Sequence, residues 1–132
     1  KRIAIAGTLL IALILTTLAL WAKAPLWIAV GAIVGIGFLS ASSTMVMTHG
    51  RGIFPDRLIG RGIAAMNTSV MLGVACMQTL SGVIVGAFAP LPDGARSEEA
   101  YRTLFGFMVA VLLVAVTVYG RSRDIRPSDE LR

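Results

Sequence analysis

Few side chains in the apolar parts of this chain are able to do chemistry, and two of them are amides. Asn67 and Gln78 are eleven residues apart, about three helical turns, so on one helix they share a face to within about 20°. Met71 and Val74 fall between them on that face. An amide in hydrocarbon without a partner is costly. Each must therefore meet another helix, a water-filled cavity or a bound solute. Gln78 is the deeper of the two, because Asn67 lies within about two turns of the arginines that precede it. On the preceding apolar run Ser40, Thr44 and Thr48 step by four and form a hydroxyl stripe. Such hydroxyls either bond to their own backbone or face a polar path.

The residues that are missing narrow the chemistry further. No Asp, Glu, Lys or Arg occurs in Ile3–Ala22, Ala24–Gly50, Gly62–Leu91 or Thr103–Gly120. These runs therefore hold no carboxylate relay and no buried counter-ion. His49 is the only histidine and reads as an interfacial residue at a helix end. Cys76 is the only cysteine, forms no internal disulfide, and reads as a small packing group. One histidine and one cysteine do not make a metal site. There is no phosphate-binding glycine loop and no nucleophile with a base beside it. Neither an enzyme nor a cofactor is expected.

The four uncharged runs are the elements that must position these groups. Each is about as long as a bilayer is thick, since roughly 20 helical residues at 1.5 Å rise cover about 30 Å. Over 132 residues the chain is 56% hydrophobic and 14% charged, and its mean hydropathy is +0.81. A soluble helix of this length would show a charged face. The expectation is an all-α integral membrane bundle of four spans, at 3–22, 26–48, 62–88 and 102–120, followed by a polar tail at 121–132. Ile3–Ala22 is longer than the roughly 7–15 residues of a signal-peptide core. Pro25 would also directly follow a cut after Ala24, so this run reads as a span. The chain begins at Lys1 without Met, and the start of the protein is expected upstream.

Charge sets the orientation. Lys1, Arg2, Arg51, Arg57, Arg61, Arg121, Arg123, Arg126 and Arg132 fall on one side of the four spans, and Lys23, Arg96 and Arg102 on the other. Nine against three puts both termini and the Arg51–Arg61 loop in the cytoplasm. Trp21 and Trp27, Phe88 and Tyr101, and Phe54 and Tyr119 sit where interfacial aromatics belong. The net charge of +5 resides at the ends of apolar runs and forms no stripe, so lipid phosphate explains it better than nucleic acid. The second run carries Gly31 and Gly35 and the third Gly82 and Gly86, the spacing that lets membrane helices approach closely. The first and fourth runs are bulkier. The second and third helices are therefore expected as the inner pair, with the first and fourth facing lipid.

The segment Gly50-Arg51-Gly52-Ile53-Phe54-Pro55-Asp56-Arg57, then Gly60-Arg61-Gly62 and Asn67, resembles the cytoplasmic loop between the tenth and eleventh helices of major facilitator superfamily transporters. Met71-Leu72-Gly73 with Gln78, Gly82 and Gly86 looks like the eleventh helix of bacterial members, and Tyr101–Gly106 like the start of the twelfth. The resemblance covers nearly all of the chain but about one third of such a transporter. It implies helices nine to twelve of a secondary transporter in a bacterial cytoplasmic membrane. Its partners would be lipid, the missing N-terminal helices and a small solute. Asn67, Gln78, Ser40 and Thr44 would then face the substrate cavity. Gly31, Gly35 and Gly82 would permit sliding, and Arg51, Arg57 and Arg61 would set topology and pair across a cytoplasmic gate. Two rivals stand beside this reading. A four-span subunit or scaffold would use its glycine faces to dock a partner. A small four-span efflux protein would need a carboxylate in its first helix, which Ile3–Ala22 lacks.

Overall fold

The computed structural model describes residues 1–21, 24–41, 47–48, 51 and 54–122, and no strand occurs among them. The main α-helices among the described residues are α1 Arg2–Leu20, α2 Leu26–Ser40, α3 Ile59–Gly86 and α4 Glu98–Arg121. A 3-10 turn, Asp56–Leu58, leads into α3. With that turn α3 forms a 31-residue element, and it, α1 (19 residues) and α4 (24 residues) are long and apolar enough to cross a membrane. At 15 residues, α2 measures about 22 Å, short of a hydrocarbon core of roughly 30 Å. Beyond it Met47 and Thr48 are helical. Lys23, residues 42–46 with Thr44, residues 49–50 with His49, and the tail from Arg123 lie outside the described residues.

Two helices begin earlier than the uncharged runs do, because their first turns are charged. Pro55 is extended, and the chain turns into helix directly after it, so Arg57 and Arg61 lie within the first turns leading into α3. At α4, Ser97 Oγ accepts from the Ala100 amide at 3.3 Å, which caps the helix. Glu98 and Glu99 occupy its first turn, where the helix dipole favours negative charge. The preceding connection is closed by a turn at Pro92-Asp93-Gly94. The Gly94 amide donates to the Leu91 carbonyl and the Leu91 amide to the Ala95 carbonyl, each at 2.8 Å. Gly94 has φ +80°, a conformation that glycine adopts without steric cost.

Packing centres on α1. Its most extensive contact is with α4 and the next with α2, while α3 packs more thinly on α4. Ala4, Gly7, Ala12 and Leu15 of α1 and Ala100 of α4 are buried. Ala4, Thr8, Ala12 and Thr16 step by four, and the two threonines turn their hydroxyls back to the Ala4 and Ala12 carbonyls at 2.9 and 2.7 Å. This smooth, internally satisfied stripe is what admits a neighbouring helix. The helices run antiparallel: Lys1 Nζ reaches the Gly120 carbonyl at one end, and Leu18 shares a cleft with Tyr101 and Phe105 at the other.

Against the expected inner pair of second and third helices, α2 packs on α1 and α3 on α4 among the described residues, while Met47 and Thr48 at the end of the second run share a cleft with Ile63 and Met66 of α3. A β-carbon on Gly35 would stand 3.5 Å from Ile14 Cδ1, so Gly35 lies against α1, whereas Gly31, Gly82 and Gly86 have no neighbour within 4 Å of such an atom. The glycine that a close contact does require is Gly62. A β-carbon there would stand 2.5 Å from the Phe54 ring, which folds back over the start of α3.

Candidate functional site

Asn67 and Gln78 both lie on α3, a helix whose apolar stretch buries none of its residues. Helical geometry puts Asn67, Met71, Val74 and Gln78 along one face, and all four are exposed. Neither amide side chain has a hydrogen-bond partner among the described residues. The neighbouring hydroxyls behave differently. Thr68, Ser69 and Thr79 donate to the Ala64, Ala65 and Ala75 carbonyls at 3.0, 2.9 and 2.9 Å, so each is satisfied within its own helix. The two amides, with Ser81, are the polar side chains of α3's apolar stretch that make no hydrogen bond among the described residues.

The other predicted residues are arranged around this face unevenly. Ser40 Oγ donates to the Ile36 carbonyl at 2.7 Å, and α2 shares no extended interface with α3. Ser40 is therefore not gathered onto the amide face, and Thr44 lies outside the described residues. Arg51, Arg57 and Arg61 are exposed. Arg51 lines a cleft of about 210 Å³ with Met47, Thr48, Ile63 and Met66. Ile63 precedes Asn67 by one turn on the same face, so this cleft leads onto the amides. The thiol of Cys76, expected as a packing group, is exposed, on the side of α3 opposite Asn67.

Two features escaped the sequence reading. Nothing in a glycine-and-arginine loop marks which glycine an aromatic ring will cover, so the Phe54–Gly62 contact had no legible signal. The cleft at Arg51 depends on the 47–51 segment lying beside the start of α3, and spacing along the chain does not show this.

Compared with protein-family models, with curated proteins and with solved structures, the chain matches none.

Proposed function

We propose that this chain is the C-terminal portion of a secondary active transporter of the major facilitator type, moving a small polar solute or ion by alternating access. The observation that carries the reading is the pair of unpartnered amides on one exposed face of a helix long enough to span a membrane. In lipid such a face would be costly, whereas along a hydrated path it is useful. Asn67 and Gln78 would line that path, and Arg51 would stand where it meets the cytoplasm. The four apolar runs, the second extending beyond α2 to Thr48, would each cross a bacterial cytoplasmic membrane with both chain ends inside. The α1–α4 pair would brace the outside, and the open sides of α2 and α3 would receive the transporter's earlier helices.

Cysteine accessibility in the full-length protein tests this. With Cys76→Ser as background, Asn67→Cys and Gln78→Cys should react with a membrane-impermeant maleimide, and Val114→Cys on α4 should not. Unreactive thiols at both amide positions would mean a face packed by protein and would remove the path.

A subunit or scaffold is the second reading. It is favoured by Gly82 and Gly86, one turn apart on α3 with open space at both, which is the spacing of a docking face. On that reading Gly82→Leu breaks an assembly and Gln78→Leu leaves transport untouched.

A further inference from the structure

The end of the bundle remote from Lys1 carries a cleft of about 330 Å³ between the last turns of α1, the connection before α4 and the first turns of α4. Its walls are of two kinds. Leu18, Leu91 and Phe105 make an apolar side, and Arg96, Arg102 and Tyr101 a polar one. The Tyr101 and Phe105 rings, one turn apart, stand 6.5 Å between centroids. Arg102 has no hydrogen-bond or ion-pair partner among the described residues, although Glu98, which also lines the cleft, precedes it by one turn. Arg96 uses one Nη on the Phe88 carbonyl at 3.2 Å. The lining of this cleft holds two guanidinium groups and one carboxylate, while Glu99 lines an adjoining cleft that Glu98 and Arg102 also border.

We propose that this cleft seats a phospholipid whose headgroup carries net negative charge. The phosphate would lie against Arg102 and Arg96, since a guanidinium fork matches two phosphate oxygens at once. The first part of an acyl chain would run along Leu18 and Phe105. A free phosphate would satisfy the arginines but leave the apolar wall uncovered, so the two-sided lining favours the lipid. The site opens beside α1 and α4, two helices of spanning length, where headgroups and chains meet. Basic pockets between membrane helices hold anionic headgroups in the same manner. The inference rests on insertion in a bilayer and not on the transport reading.

Native mass spectrometry of the full-length protein, released from vesicles of equal phosphatidylglycerol and phosphatidylcholine, measures this. One guanidinium in excess of the carboxylate lining the cleft predicts about a fivefold preference for the anionic lipid. Arg102→Gln should abolish the preference, and Glu98→Gln should raise it to about thirtyfold. Leu18→Trp should lower retention of both lipids by filling the apolar wall. Millimolar inorganic phosphate should displace neither. Equal retention of the two lipids, or a preference indifferent to both charge variants, overturns the proposal. Displacement by phosphate together with no effect of Leu18→Trp would make the site one for a free anion and also overturns it. A preference that disappears because another helix of the full-length protein fills the cleft does the same. Protein recovered free of vesicles would overturn it along with the membrane reading. Loss of transport in Gln78 variants would leave it standing.

Discussion

Lys1 caps the last turn of α4: its Nζ donates to the Gly120 carbonyl at 2.9 Å and also to the Ser122 carbonyl. The first residue of the described chain thus satisfies carbonyls that helix geometry leaves unpaired, and its charge opposes the negative end of the dipole. A cation there is worth about 0.3–1 kcal/mol. Lys1→Met should therefore speed amide exchange in the last turn of α4 by about two- to fivefold, and Lys1→Arg should restore most of the protection. Exchange unchanged in Lys1→Met would mean the contact carries no free energy.

Gly62 offers a test of sign. In a helix Ala is ordinarily better than Gly by about 1 kcal/mol. Here the added β-carbon would meet the Phe54 ring at 2.5 Å, and overpacking costs about 1–3 kcal/mol. Gly62→Ala alone should lower the melting temperature and expose the 51–58 segment to protease. The same change made on a Phe54→Ala background should stabilise the protein. A double-mutant cycle reads the coupling directly.

The smooth stripe of α1 predicts a contrast between neighbours. Ala12 is 5% exposed, whereas Leu13 is 61% exposed. Ala12→Leu should separate the helices and cost about 1–3 kcal/mol. Leu13→Ala should change thermal stability by less than about 0.5 kcal/mol, as exposed positions do. Melting in detergent with a thiol-independent dye compares the two.

Gln78 separates stability from function. An amide with no partner gives nothing back for its desolvation, so Gln78→Leu should leave the melting temperature unchanged or raise it. Uptake by the full-length protein should nonetheless fall. Uptake equal to the parent protein would return Gln78 to the lipid or to a docking face.

The turn before α4 depends on Gly94, whose φ is +80°. An L side chain pays roughly 1 kcal/mol there. Gly94→Ala should loosen the Leu91–Ala95 hydrogen bond, visible as faster exchange of the Leu91 amide, while Asp93→Ala should do so less.

The helices were legible because charge exclusion over about 20 residues leaves little alternative to a buried or spanning helix. The helices α3 and α4 begin at Ile59 and Glu98, ahead of the uncharged runs, because a helix's first turn accommodates charge. Ser97-Glu98-Glu99 is a capped helix start, in which the charges belong to the first turn. The extensive contact of α1 with α4 follows from a different signal. Attention to glycine favoured the second and third runs, yet Ala4, Thr8 and Ala12 make an equally smooth stripe on the first, once each threonine bonds its own backbone. The amides of α3 were legible as a face from an eleven-residue spacing alone. That their side chains lack partners within the chain is a property of how α3 sits, which spacing does not contain.

The pairing of α1 with α4 also sets a schedule for biosynthesis. The last residue of α4, Arg121, follows that of α1, Leu20, by 101 positions, and at roughly 5–20 residues per second the ribosome needs about 5–20 s to complete the second after the first. Throughout that interval α1 lacks the helix with which it makes its most extensive contact. On insertion into a bilayer, an insertase or a chaperone at the translocon would have a defined surface to shield until α4 arrives. Substitutions along the Ala4–Ala12 stripe should therefore show themselves first as degradation of nascent chains, before any effect on the finished protein is measured.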